Sequence, residues 1–243
     1  MRLPRIFVDL PLRAGARLTL PPASSEHLVR VLRLRSGDPL VLFNGDGRDY
    51  AGRLQTPGRN GALVEVGSAG DVEPSPLLSV HLGIGVSKGE RMDFALQKAV
   101  ELGVARITPL FTERSVVRLA GERLDRRQRH WYRVVVGACE QSGRRRLAEL
   151  ETAVTLDGWL SSNHPYPILL DHRSPTPLPS LPAPAGELTL LVGPEGGLAK
   201  REKAWARQSG FAGVRLGPRI LRTETAPLAA LAAIQTLWGD FLG

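Results

Sequence analysis

Apolar residues fall in short, closely spaced runs over the first 70 or so positions and in longer, helix-spaced runs beyond them. Runs at 6–8, 17–20, 39–43, 50–55 and 62–66 have strand character. Gly15, Asn44-Gly45-Asp46-Gly47 and Arg59-Asn60-Gly61 punctuate them. The two Asn-Gly pairs suit tight hairpins, because both residues tolerate positive φ. One short helix fits 24–32, with Ser24 or Ser25 as its N-cap. The pattern predicts a small β-barrel over residues 1–72. Residues 71–76 carry two prolines and two acids and mark a boundary, leaving 77–243 as a second domain.

There the period changes. Residues 78–84 read as a buried strand, and Ser87-Lys88-Gly89-Glu90 as a capping box. The helix that follows places Met92, Leu96, Ala99 and Val100 on one face and ends at Gly103. A strand at 106–111 closes a β-α-β unit, which predicts a parallel sheet and an α/β fold. A long helix fits 122–141. Strands at 168–171, 188–192 and 213–216 follow, with helices near 200–209 and 226–241 and a proline-rich loop at 174–184. No internal repeat is visible.

Composition narrows the partners. Hydrophobic residues make up 42% of the chain and charged residues 23%, enough for a real core. Thirty-two Lys and Arg against 24 Asp and Glu leave a net charge of +8. Such a surplus favours a polyanion, since counterions released from phosphate drive association. The preponderance of Arg over Lys also fits a GC-rich genome. The single cysteine, Cys139, excludes an internal disulfide, and a cytoplasmic location is expected. The first residues lack the apolar core of a signal peptide, and no stretch of about 18 apolar residues exists, so no membrane is expected. The five histidines show no metal spacing, and no metal is expected.

Three glycine-containing turns carry the candidate chemistry. Gly83-Ile84-Gly85-Val86-Ser87-Lys88-Gly89 is near a dinucleotide fingerprint, but its third glycine comes one residue late and no strand-end acid follows. A nicotinamide oxidoreductase is therefore disfavoured. Gly193-Pro194-Glu195-Gly196-Gly197 follows a strand and opens towards a helix, where bare backbone and free N–H groups suit a ligand. It is not a phosphate-binding Walker loop, because no Gly-Lys-Ser/Thr follows. Leu216-Gly217-Pro218-Arg219-Ile220-Leu221-Arg222-Thr223-Glu224-Thr225-Ala226 crowds four polar side chains at a helix start that needs only one cap. Ligands of open α/β sheets bind at strand C-termini, where both turns lie.

Taken in order, these segments resemble the SPOUT class of RNA methyltransferases and, within it, the RsmE family, which methylates N3 of a uridine in 16S ribosomal RNA. The resemblance rests on Ser87-Lys88-Gly89-Glu90-Arg91-Met92, Gln97-Lys98-Ala99-Val100-Glu101-Leu102-Gly103, Ala138-Cys139-Glu140-Gln141-Ser142-Gly143-Arg144 and the two later turns. Arg5-Ile6-Phe7-Val8 and His27-Leu28-Val29-Arg30-Val31-Leu32-Arg33 are similar to the family's N-terminal domain. Arg145-Arg146-Leu147 departs from the usual Asn and Val-Pro that follow the Glu-Gln-Ser-Gly-Arg motif.

The resemblance implies a PUA-like barrel, then a SPOUT α/β domain with a C-terminal trefoil knot, a homodimer, S-adenosylmethionine as methyl donor and 16S rRNA of the small subunit as partner. It implies that Leu170, Val192, Gly193 to Gly197, Leu216, Gly217, Ile220, Leu221, Thr225 and Ala226 meet the cofactor. Arg222 is expected to stabilise the anionic uracil oxygen and Glu224 to accept the N3 proton. RNA contacts are expected at Arg5, Arg13, Arg30, Arg33, Lys88, Gln97, Lys98, Glu140, Gln141 and Arg144. A different RNA base or ribose as target, and a non-catalytic ribosome-assembly factor, stay open as alternatives.

Overall fold

A computed structural model describes residues 3–59, 61–117 and 119–242, so the Asn60 half of one expected turn lies outside the described residues. The chain forms two compact units, Met1–Ser75 with Cys139–Leu147, and Pro76–Ala138 with Ala148–Gly243. Residues 139–147, which the sequence pattern left in the second domain, thus join the first unit.

The first unit contains β1 (Arg5–Phe7), β2 (Arg17–Thr19), α1 (Pro22–Glu26), β3 (Pro39–Phe43), β4 (Tyr50–Thr56) and β5 (Leu63–Ala69). The strands form one sheet in the order β1-β3-β4-β5-β2, parallel at β1–β3 and antiparallel elsewhere. Alternate residues, among them Leu40, Leu42, Leu54, Val64 and Val66, point into a single apolar core shared with Ile6, Leu20 and Leu28. Neither Ser24 nor Ser25 caps the helix. Pro21 stands at the N-cap and Pro22 opens the helix, where a missing N–H leaves less to cap. Ser25 is buried inside it, donating to the Leu20 carbonyl at 3.0 Å and accepting the Ala62 N–H at 2.9 Å. The helix then continues as a single π turn, His27–Val31.

The unusual Arg145-Arg146 pair is also anchored in this unit. The Glu73 carboxylate accepts both backbone N–H groups, at 2.7 and 2.8 Å, and the Arg145 guanidinium donates to the Asp71 carbonyl at 2.6 Å.

The second unit follows with β6 (Ser79–Gly85), α2 (Glu90–Glu101), β7 (Arg106–Phe111), α3 (Glu122–Ser142, whose last residues count with the first unit), β8 (Glu149–Leu150), β9 (Val154–Thr155), α4 (Leu156–Leu160), β10 (Pro167–Leu170), β11 (Glu187–Val192), α5 (Lys200–Gln208), β12 (Ala212–Val214) and α6 (Thr225–Trp238). All its strand pairs are parallel, in the order β12-β10-β11-β6-β7-β8 with β9 on β7. From β6 the chain moves to β7 on one side, and from β11 to β12 on the other. The strand order therefore reverses between β6 and β11, the place where open α/β sheets hold ligands. The expected capping box is not formed. Gly89 is the N-cap of α2 at φ 56°, so Ser87 lies two residues ahead of the N-cap and its hydroxyl turns back to the Gly85 carbonyl at 3.3 Å.

Candidate active site

β10 and β11 end side by side at Leu170 and Val192, with β12 beyond β10. Past these ends lies a cavity of about 240 Å3. Leu170 lines it from the end of β10, Val192, Gly193, Pro194, Glu195, Gly196 and Gly197 from the end of β11 and its turn, and Leu216, Ile220, Leu221 and Ala226 from the second turn. Gly217 and Thr225, expected beside them, do not. Gly217 sits at φ 68° and serves to turn the chain, while the Thr225 N–H donates to the Arg222 carbonyl at 3.0 Å as α6 begins.

Glycine is required here by close backbone approach. A Cβ on Gly85 would lie 2.4 Å from the Pro194 nitrogen, and one on Gly193 would lie 2.9 Å from the Leu198 nitrogen. Gly197 adopts φ 63° and its N–H closes the turn on the Pro194 carbonyl at 2.8 Å. Gly83 has a different cause: its Cβ would meet the Trp159 ring at 2.5 Å. Packing thus accounts for both of the first two glycines of the 83–89 run.

The polar lining includes groups that sequence reasoning missed. Asp171, 3% exposed, follows Leu170 directly. Its carboxylate binds Lys203 Nζ at 2.8 Å, the Arg207 guanidinium at 3.0 Å and the Arg173 N–H at 3.2 Å. Burial alone would push this carboxyl up, but the Lys203 hydrogen bond and the neighbouring cations outweigh it, and its pKa lies below the usual value. Lys203 and Thr223 also line the cavity. The Thr223 hydroxyl lies 3.3 Å from both the Gly193 carbonyl and the Ser87 hydroxyl, joining the ends of β6 and β11 to the start of α6. Nothing local marks Lys203, which arrives from a helix 33 positions after Leu170.

Arg222 and Glu224 are not among the lining residues. They flank Thr223, which makes the inward bonds. Arg222 is exposed, and Glu224 occupies the N-cap position of α6 without a side-chain cap bond. Among the described residues, no group of three or more His, Cys, Asp or Glu could hold a metal ion, and no helix is long and apolar enough to cross a membrane.

Comparison with known proteins agrees with this geometry. A family model described as an RNA methyltransferase domain matches residues 73–235, and a model of an RNA methyltransferase PUA domain matches 20–67. The ribosomal RNA small subunit methyltransferase E of Buchnera aphidicola (subspecies Schizaphis graminum) is 32% identical, over 98% of both chains. The chain belongs to the ribosomal RNA small subunit methyltransferase E family. A solved methyltransferase E from Neisseria gonorrhoeae, bound to S-adenosyl methionine, superposes with a TM-score of 0.94 at 38% identity, covering 99% of this chain and 100% of that one. A proposed methyltransferase from Legionella pneumophila with bound SAM superposes at 0.95 with 35% identity, over 99% and 100% of the two chains.

For a methyltransferase E chain, the residues expected to contact RNA divide by what already engages them. Arg13, Arg33, Lys88 and Gln141 are exposed, Gln97 and Arg144 half-buried. Arg30 is exposed but pairs with Glu26 at 2.8 Å, and Lys98 pairs with Glu101 at 2.8 Å. Two of the expected residues are held by partners within the first unit. The Glu140 carboxylate accepts the Phe7 N–H at 2.9 Å, and burial raises its pKa against the opposing effect of that bond, His27 and Arg5. The Arg5 side chain is 7% exposed, binds Asp49 at 2.5 Å, donates to the Arg144 carbonyl at 2.9 Å and lies 4.7 Å from the centre of the Phe43 ring. Both are structural groups of the first unit, because burial there demands a partner for each charge. Arg5→Ala leaves Asp49 with only the more distant Arg145, 3.6 Å away, and is expected to destabilise the first unit by about 1–3 kcal/mol in denaturant titration. An unchanged midpoint would refute that role.

Proposed function

We propose that this chain transfers a methyl group from S-adenosylmethionine to N3 of a specific uridine in 16S rRNA of the small ribosomal subunit. The observation that carries the reading is the cavity at the ends of β10 and β11, walled by backbone at Gly193 to Gly197 and by apolar side chains at Leu170, Val192, Leu216 and Leu221. That lining fits the cofactor: apolar walls and bare backbone for a flat base, and the Asp171–Lys203 pair for a polar end. The relatives' names and the SAM-bound neighbours support both donor and acceptor class. When bound, S-adenosylmethionine supplies a methyl group on a positively charged sulfur. Positioning of the two reactants then supplies much of the rate. Arg222, exposed next to Thr223, is the residue we assign to the uracil oxygen that gains charge as N3 loses its proton.

The family resemblance extends the proposal to a trefoil-knotted C-terminus, a homodimer and a cytoplasmic location. The net charge of +8 supports an RNA partner, with Arg13 and Arg33 on the first unit as phosphate contacts. The test is mass mapping of 16S rRNA from cells with and without the protein, together with calorimetry against S-adenosylmethionine. The expected result is loss of one base methylation on a uridine and binding of the cofactor. An unchanged map, or no cofactor binding, would remove the proposal.

A further inference from the structure

We propose that a groove between α3 and the β8 edge of the second unit's sheet binds the phosphate backbone of rRNA flanking the target, an inference that rests on the rRNA reading. Gln128, Arg129, Tyr132 and Arg133 of α3, with Leu150 and Thr152, line a groove of about 560 Å3. No acid is among them. Arg129, Tyr132, Arg133 and Thr152 are all exposed, so the groove is an open trough that a strand can enter.

Positive charge is concentrated here and left available. Between Glu122 and Arg133, the chain carries Arg123, Arg126, Arg127, Arg129 and Arg133 against Glu122 and Asp125. Both acids stand in the first turn of α3, where the helix dipole favours them. Among the described residues, neither Arg129 nor Arg133 forms an ion pair. The acids on either side of Leu150 are engaged elsewhere, Glu149 and Glu151 lying 3.0 and 3.6 Å from Arg106. Arg129 and Arg133 are four residues apart, so they stand about 6 Å from each other on one helix face. That separation suits neighbouring phosphates on one strand, and each guanidinium can hold two phosphate oxygens at once. Tyr132 adds ring surface on which an unpaired base can stack. The trough is formed before RNA arrives, because Gln128 Nε2 donates to the Glu151 carbonyl at 2.8 Å and ties α3 to the far wall.

Position in the sheet decides which part of the RNA it meets. Three strand-to-strand steps, from β11 through β6 and β7, separate β8 from the cofactor cavity. At about 4.8 Å a step, the groove lies about 14 Å or more across the sheet from the chemistry. Its occupant is therefore RNA beside the target uridine, and it should affect substrate binding without affecting the transfer step.

Arg129→Gln combined with Arg133→Gln removes both charges and keeps two exposed polar side chains. The expected result is 16S rRNA affinity in filter binding lowered about 10-fold or more at physiological salt, with the slope of log affinity against log salt smaller by about 2. KM for the RNA should rise with it, while kcat and S-adenosylmethionine affinity stay at wild-type values. Arg129→Lys with Arg133→Lys restores the charges and should restore the slope, which a merely structural role would not produce. Tyr132→Leu should weaken binding about 10-fold, and Tyr132→Phe should not. Unchanged affinity and slope in the glutamine pair overturns the proposal, and so does a fall in kcat at unchanged RNA affinity. So does an altered oligomeric state in sedimentation, which would make the groove a contact between copies of the chain. Wild-type protein that binds no 16S rRNA overturns the rRNA reading itself, together with the proposal.

Discussion

Gly85→Ala is expected to lower methylation about 100-fold, because displacing a reactant by about 1 Å has an effect of that size. The added Cβ would stand 2.4 Å from the Pro194 nitrogen, 2.5 Å from its Cδ and 2.9 Å from the Gly193 carbonyl carbon. Two of these atoms are backbone and the third is tied to it by the proline ring, so no rotamer change relieves the clash. Either β6 or the Gly193–Gly197 turn must move, and the turn is a wall of the cavity. Overpacking of this kind also destabilises by about 1–3 kcal/mol. Gly83→Ala supplies the comparison. Its Cβ meets the Trp159 ring at 2.5 Å, a side chain that does not line the cavity. Both variants should lower the denaturation midpoint, but only Gly85→Ala should weaken S-adenosylmethionine binding in calorimetry. Full cofactor affinity in Gly85→Ala would show that the close approach has no functional consequence.

Legibility in the sequence followed the length and regularity of each signal. The β6-α2-β7 unit was readable because apolar runs and a 3.6-residue period persist over enough positions to be distinct. β8 and β9 are two residues each and α4 is five, too short to carry any period, and they were missed. Gly193 to Gly197 was readable as a ligand turn because strand-end glycines have few other uses. Its partner residues were not: Asp171 and Lys203 meet only because β10 and α5 come together across 32 positions. The Arg222 to Thr225 run was located correctly as a crowded helix start, but which of its side chains turns inward depends on the local backbone path, and that is Thr223. Arg5 and Glu140 were expected to contact RNA, and nothing in the sequence showed the partners that hold them. Their partners, Asp49 and the Phe7 amide, lie 44 and 133 positions away and are set by the fold.

The stability of the second unit should fall as pH is lowered from about 6.5 towards 4, with His81 as the main source. Burial, first, and then the Arg106 charge and His164 lower its pKa from 6.5 to about 4, against the opposing pull of Glu151. Hydrogen bonding agrees with a neutral ring. Thr108 donates its one hydroxyl proton to Glu151, so His81 Nε2 must be the donor to Thr108 at 2.6 Å. The edge-on Trp159 ring, 5.5 Å away, offers the ring no compensating charge. Above pH 6.5 neither the folded nor the unfolded chain protonates this residue. Between 6.5 and 4 the unfolded chain does and the folded chain does not, so stability drains away as pH falls. At about 1.4 kcal/mol per pH unit, the full loss is about 3 kcal/mol. Asp171, whose pKa is lowered, adds to the loss only at lower pH, as its carboxylate is protonated. Glu140, whose pKa is raised, acts with the opposite sign but belongs to the first unit. Urea unfolding at stepped pH should therefore show a slope in wild type that flattens in His81→Gln, which keeps a donor for Thr108 but cannot take a proton in this range. Parallel pH profiles for the two proteins would rule out His81 as the source. The cavity lies at the far end of the same sheet, past β10 and β11, so cofactor affinity at pH 7 should be the same in both.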